Sequence, residues 1–406
     1  MKIVSILIAA LLLFASMKNN YENILTNANW STIENSGISL FIRSYSQAFL
    51  LVTLVICAIR STFKGVMNVR IGPLFAVVLL MQTIAALRGF ALDTDLGIKL
   101  AFGIAAFMII YVFVSSEIVA DGKTATMKSI FIGCVLFAAI IILINIHEMA
   151  RGFGYAVNVP RFFGTSSHPN ILGATCGIAA CTFWHYFRQT DGRINQISSL
   201  VLFGLSCYLL VKTGSRSGMV IPVVYFFFFE FSRQNYLLVA ASLIGATILI
   251  YLIVSNDIDL ANLSNSFYRG DYSSGDTRSL AWGLLVDEIN ENFMFGSGIF
   301  TKATENSFLR GWANYGVFYA ALYAALQFVV LCRCVMLLRS SPLFVRYFAC
   351  LFIGLFASSI LEGYMIDAYG VPIVYLYIVT AFLDRGPDRR IAALRTARAH
   401  LQRALP

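Results

Sequence analysis

The chain has 406 residues, 58% of them hydrophobic and 13% charged, with a formal charge of +9 and a mean hydropathy of +0.75. A soluble domain is about 25% charged and 45–50% apolar, so this composition excludes a soluble globular protein and indicates an integral membrane protein. In such a chain an excess of basic residues records topology, not a nucleic-acid partner.

A membrane-spanning helix needs about 20 largely apolar residues. Segments near 3–17, 38–59, 71–87, 98–118, 129–147, 171–187, 197–211, 218–231, 236–254, 312–332, 347–361 and 367–383 have that character, which predicts an all-α polytopic protein of about twelve spans. The first follows Lys2 as a signal peptide would, but no A-x-A cleavage site follows it, and it is retained as a span. One set of connections is basic, with Arg60, Lys64 and Arg70, Lys123 and Lys128, Arg188 and Arg193, Arg233, and Arg333, Arg339 and Arg346. Positive residues mark the cytoplasmic side, which places both termini in the cytoplasm and 18–37, 88–97, 148–170, 212–217, 255–311 and 362–366 outside. The chain divides into a transmembrane domain over 1–383 and a basic cytoplasmic tail over 384–406. In the tail, Arg389, Arg390, Arg395, Arg398 and Arg403 alternate with Ile391, Leu394 and Leu401 as in an amphipathic helix on the inner leaflet.

The eight cysteines lie in or beside apolar runs without a CxxC, which argues against a disulfide framework or a zinc site. There is no P-loop, GxGxxG or HExxH. Asp93-Thr-Asp95 and Asp257-Ile-Asp259 match the short D-x-D pattern of metal-dependent sugar transfer but read more simply as solvated turns. Of the four histidines, His147 and His185 lie at span ends and His400 in the tail; His168, before Pro169-Asn170, suits either a helix cap or a site residue.

The basic residues of the outward connections need a reason to be there. RFFGTSSHPN (161–170), TGSRSG (213–218), YRGDYSSGDTRSLAW (268–282) and TKATENSFLRGW (301–312) each combine arginine or lysine with small, turn-forming or polar residues at a span entrance. Guanidinium groups there reach headgroup depth, bind phosphate bidentately and stay charged, which suits a lipid-linked diphosphate. Taken singly, each arginine reads more simply as snorkelling or a loop ion pair; the group carries the argument. Within 255–311, Asp276-Thr277 can cap a helix whose apolar face holds Leu280, Trp282, Leu284, Leu285 and Ile289, ending at Gly296-Ser-Gly298. Such a helix is a lid, a cavity wall or a packed re-entrant element.

In order along the chain, Arg161…Gly164…Pro169-Asn170, Ser215-Arg216-Ser217-Gly218, Arg278…Trp282 to Gly296-Ser-Gly298, and Glu305-Asn306…Leu309 before Tyr315-Gly316-Val317 resemble the O-antigen ligase and polysaccharide polymerase superfamily of bacterial membrane glycosyltransferases. The resemblance covers about 161–320. It implies a protein of the bacterial inner membrane that takes glycan from an undecaprenyl-diphosphate carrier on the periplasmic face, with no cofactor and no metal. Its implied partners are that lipid-linked glycan, membrane lipids, a chain-length regulator and a flippase. By the resemblance, Arg216 and Arg278 contact the diphosphate and Glu305 stands where the family has a histidine that activates the acceptor hydroxyl. Arg161, His168, Asn170, Lys212, Ser215, Asn306 and Arg310 are the accompanying substrate-binding candidates. A tuned carboxylate can also accept a hydroxyl proton. The expected activity is polymerisation of lipid-linked repeat units into O-antigen or exopolysaccharide. The alternatives are a ligase moving glycan to lipid A core or protein, and a flippase, although transporters gather charge near the midplane.

Overall fold

The computed structural model describes residues 2–17, 36–64, 71–156, 159–166, 168–240, 244, 277–298, 306–367 and 370–385. Its elements in chain order are α1 (Lys2–Ala15), α2 (Gly37–Phe63), α3 (Pro73–Leu92), α4 (Thr94–Asp121), α5 (Lys123–Ala150), β1 (Tyr155–Ala156), β2 (Val159–Phe162), α6 (Pro169–Phe187), α7 (Arg193–Thr213), α8 (Arg216–Ser232), α9 (Thr277–Glu291), α10 (Ser307–Ser340), α11 (Leu343–Ser359) and α12 (Val371–Asp384). The all-α expectation holds apart from one small addition: β1 and β2 form an antiparallel hairpin, with Tyr155 opposite Phe162 and Ala156 opposite Val159. Eleven of the twelve expected segments fall on these helices; the remaining one, 236–254, is helical over 236–240 and lies largely outside the described residues, as do the tail and the Asp257–Asp259 pair.

Among the described residues, six helical stretches are long and apolar enough to cross a membrane: Ser44–Phe63, Pro73–Leu92, Thr94–Asp121, Lys123–Ala150, Arg193–Thr213 and Ser307–Arg339. Their outward surfaces carry large apolar side chains, among them Leu51, Val52 and Val55 on α2 and Phe318, Phe328 and Met336 on α10. A soluble monomer does not leave such faces open to water; against lipid they are the expected surface.

Polar contacts gather at two opposite ends of the helices. At one end Arg60 Nε reaches Glu117 Oε1 at 2.9 Å, Lys64 Nζ reaches Asp121 Oδ2 at 2.9 Å, and Ser5 at the start of α1 donates to Glu117 Oε2 at 2.9 Å. Asp384 at the end of α12 accepts from the Leu74 and Phe75 amides that open α3, and Lys123 Nζ donates to the Arg385 carbonyl. Arg188 pairs with Glu230 at 3.5 Å, and Arg346 reaches the Ser232 carbonyl. These are the connections the sequence marks as basic, and the start of α1 and the end of α12 share that end. The connections around 161–170, 213–217, 306–310 and 362–367 meet at the other.

Local chemistry sets the junctions there. Gly214 takes the left-handed conformation (φ 58°) that closes α7, and Ser215 at once caps α8 by accepting from the Gly218 amide at 3.1 Å. The α7–α8 connection is therefore only two residues. Glycines bring α6 and α8 backbone to backbone: a Cβ added at Gly173 would strike Ser215, and one added at Gly177 would lie 2.6 Å from the Gly218 carbonyl. Small residues permit this approach, which suits helices packed within lipid.

The helix α10 starts five residues before the expected span because Asn306 caps it, and it breaks at Gly316 (φ 84°, ψ 177°). Ahead of that break it packs against α9, whose buried face is Ala281, Leu285 and Ile289 against Ala313. Leu285 and Ile289 were expected on that face; Leu280 and Leu284 are instead 58% and 61% exposed, so the helix is rotated from the expected orientation. Gly296 and Gly298 hold positive φ, which lets the Ser297 and Gly298 amides donate to the Ala313 and Asn314 carbonyls at 2.8 and 2.7 Å. Asp93 is the N-cap of α4, accepting from the Asp95 amide at 3.1 Å, which confirms a turn at that D-x-D. His185 lies in the last turn of α6, at a span end as expected, and is fully buried there, 2.7 Å from the Tyr225 hydroxyl.

Candidate active site where four connections meet

Arg161 lies in β2 and turns its fork on three acceptors. Its Nε donates to the Thr213 carbonyl at 2.8 Å, and its Nη2 donates to Asn170 Oδ1 at 2.6 Å and to the Gly214 carbonyl at 3.3 Å. It thereby ties the hairpin and the start of α6 to the turn that presents Arg216. His168 is the N-cap of α6, its Nδ1 accepting from the Asn170 amide at 3.2 Å, and Pro169 opens the helix with the φ its ring already fixes. Of its two expected roles, the structure assigns His168 the capping one.

Asn170 passes the connection on. While its Oδ1 accepts from Arg161, its Nδ2 donates to Glu362 Oε1 at 2.6 Å. The same carboxylate oxygen accepts from Ser217 Oγ at 3.3 Å, and Ser217 is 3.3 Å from the capping hydroxyl of Ser215. Arg216, half-buried, is the first residue of α8 and lies between these two serines. Lys212 does not join this network; its ammonium lies 5.7 Å from the ring centroid of Tyr208, one turn back on α7.

The third strand of contacts comes from α10. Asn306, at φ 60°, accepts from the Phe308 and Leu309 amides at 3.0 and 3.2 Å, satisfying two donors that have no carbonyl within the helix. Ser307 Oγ donates to the Glu362 carbonyl at 2.7 Å. Arg310, 1% exposed, donates to the Gly363 carbonyl and pairs with Asp367 Oδ1, both at 3.2 Å. Ser358 Oγ donates to the Ser217 carbonyl at 2.7 Å and accepts from the Tyr364 hydroxyl. The N-termini of α6, α8 and α10 thus converge on the connection between α11 and α12. Each brings the positive end of a helix dipole.

Asp367 lies in that connection, since α12 begins only at Val371 and not at 367 as its apolar run suggested. Burial pushes its carboxyl up to about 6, with the Arg310 guanidinium pulling the other way. Two narrow cavities meet at Asp367. One, of about 30 Å³, is also lined by Gln82, Tyr319, Tyr323 and Tyr377; the other, of about 10 Å³, by Ser16, Ser166 and Thr175. These are the sizes of spaces that hold about one or two waters.

The structure therefore brings together Arg161, Asn170, Ser215, Arg216, Asn306 and Arg310 around Ser217, which the sequence showed only as part of the Ser-Arg-Ser-Gly stretch, and around residues the sequence did not single out: Glu362, Ser307 and Asp367. Glu362 ends a long apolar run and is followed by glycine; a lone carboxylate in that position was the signal available. Glu305 lies outside the described residues, and of Arg278 only its place in the first turn of α9 is described. No protein-family model matches the chain, and a comparison with characterised proteins finds no match either.

Proposed function

We propose that the chain is a membrane glycosyltransferase that polymerises undecaprenyl-diphosphate-linked repeat units at the periplasmic face of the bacterial inner membrane. The observation that carries this reading is the meeting of Arg161, Arg216 and Arg310 with three helix N-termini at the end of the molecule opposite the basic connections. Donors and dipoles so arranged favour a charge that grows as the reaction proceeds. In the proposed step the acceptor hydroxyl oxygen attacks the anomeric carbon of the donor. The bond from that carbon to the phosphate oxygen breaks, and undecaprenyl diphosphate leaves with the electron pair. Arg216 and Arg278 take the charge of the leaving group, and the carboxylate of Glu305, directly before the α10 cap, accepts the hydroxyl proton. Arg161 and Asn170 hold the turn that aims Arg216. The linkage is already activated, so no nucleotide is needed.

The test is polymer synthesis in proteoliposomes supplied with lipid-linked repeat units and read as a ladder on a gel. Arg216→Lys keeps the charge but loses the planar fork, so the rate should fall by about one to two decades, equivalent to a charge-assisted contact of roughly 1.5–3 kcal/mol. Glu305→Gln should abolish the ladder and Glu305→His should restore part of it. Normal ladders from both Arg216→Lys and Glu305→Gln would overturn the reading. A single transfer to lipid A core in place of a ladder would make the enzyme a ligase.

A further inference from the structure

Glu362 is a charged side chain only 5% exposed, among groups the proposed reaction needs for a different anion. Burying a carboxylate is costly unless donors meet it, and here they do: Asn170 Nδ2 at 2.6 Å and Ser217 Oγ at 3.3 Å, with Arg161 behind Asn170 and Arg216 beside Ser217. Its main chain is fixed as well, since the Glu362 carbonyl accepts from Ser307 Oγ and the next carbonyl, that of Gly363, accepts from Arg310. Glu362 thus holds the starts of α6 and α8 through its carboxylate and the start of α10 through its main chain.

We propose that Glu362 sets the affinity for the donor, its carboxylate occupying the seat of the lipid-linked diphosphate when that seat is empty. The inference rests on the glycosyltransferase reading and adds to it a residue that works against binding. Two anions within a few ångströms in one pocket oppose each other's ionisation. When the diphosphate arrives, the Glu362 side chain must swing away from Asn170 and Ser217 or take up a proton. Swinging away frees the Asn170 amide and the Ser217 hydroxyl for phosphate oxygens, and a proton on Glu362 makes it a weaker acceptor for both. In the empty protein the same carboxylate keeps the arginines from opposing one another and keeps the α8 turn in place. Glu362 is therefore a competitor of the substrate, not a contact to it, and its removal improves donor binding.

The full-length protein in lipid nanodiscs is titrated with undecaprenyl diphosphate, the leaving group itself, and separately with inorganic pyrophosphate. Glu362→Gln and Glu362→Met both remove the charge at nearly constant volume, and whichever is monodisperse serves. Each should bind undecaprenyl diphosphate at least about tenfold more tightly than the parent, from the Coulomb repulsion removed at contact distance. Pyrophosphate should gain by the same factor, because the seat reads the diphosphate and not the polyprenyl chain. Glu362→Asp, which keeps the charge, should bind as the parent does. A parent that binds the lipid while the neutral variants bind it equally or more weakly overturns the role of Glu362 and leaves the glycosyltransferase reading intact. So does a gain seen for the lipid but not for pyrophosphate. Absence of lipid binding by parent and variants alike overturns the reading and the inference with it.

Discussion

Replacing Arg161 by lysine tests whether that residue organises the site. The guanidinium donates to three acceptors, Thr213 O, Asn170 Oδ1 and Gly214 O, from two nitrogens. An ammonium on a flexible stem can keep one of these, or two with strained geometry. A hydrogen bond from a charged donor contributes about 1.5–3 kcal/mol; losing one or two from a half-buried residue should therefore cost about 2–4 kcal/mol. In a chain of this size that lowers the melting temperature by several degrees, since domains of 150–250 residues shift by about 2–4 °C per kcal/mol and larger ones by less. The α7–α8 turn that Arg161 holds also presents Arg216, and a displacement of about 1 Å at a reacting group can cost about a hundredfold in rate. The assay pairs a thermal melt of detergent-solubilised protein, followed by fluorescence-detected size exclusion, with ladder synthesis by the same preparation. Arg161→Lys should lose both melting temperature and rate. An unchanged melt would refute the organising role. If the rate still fell, Arg161 would be a direct phosphate contact.

Three further outcomes follow from the geometry. Gly173→Val should prevent accumulation of folded protein, because even a Cβ at this position collides with Ser215 across the α6–α8 contact; normal monodisperse yield would show that the helices can separate without cost. The carboxyl of Asp367 is raised to about 6 from an unfolded value of 3.8, so the folded state holds its proton more tightly. That contribution to stability, on the order of 3 kcal/mol, is present below about pH 4 and lost as pH rises through about 6. Asp367→Asn should therefore flatten melting temperature against pH over that window, and an unaltered pH profile would remove Asp367 as its source. Cysteines placed at Ser273 and Ala397 should label from opposite sides of the membrane; labelling of both from one side would contradict the assigned topology.

The helices were legible because a long apolar run bounded by charge has few alternatives in a membrane, and the charge alternation foretold which connections would lie together. One local cap was legible in the same way: His168 before Pro169-Asn170 announces the start of α6, while α9 opens at Thr277 as expected and Asp276 lies outside the described residues. The orientation of α9 was harder to read. Leu280 and Leu284 match a helical stripe as well as Ala281, Leu285 and Ile289 do, and it is packing against Ala313, Leu309 and Trp312 of α10 that selects the second set. The break at Gly316 was equally hidden. Gly316 holds a positive φ where its backbone lies against Met294 and Phe295, which are about twenty residues away in sequence and have no local signature. Glu362 was missed for a related reason. A single acid beside a glycine reads as an ordinary turn until Asn170 and Ser217, contributed by other helices, are seen to bind it.

The contact between Asn170 and Glu362 joins residues 192 positions apart, and this fixes when the site comes into being during biosynthesis. A chain emerging from the ribosome inserts α6, α7 and α8 first, so Arg161 can already clasp Thr213 and Asn170 while α10 and α11 are unmade. Glu362 enters only after α11 has been threaded, and until then the Asn170 amide and the Ser217 hydroxyl lack the acceptor they have in the finished protein. A growing chain is therefore unfinished at this junction until almost the last helix. A C-terminal truncation ahead of Glu362 would leave a product that retains most of its apolar packing yet lacks the residue joining the starts of α6, α8 and α10.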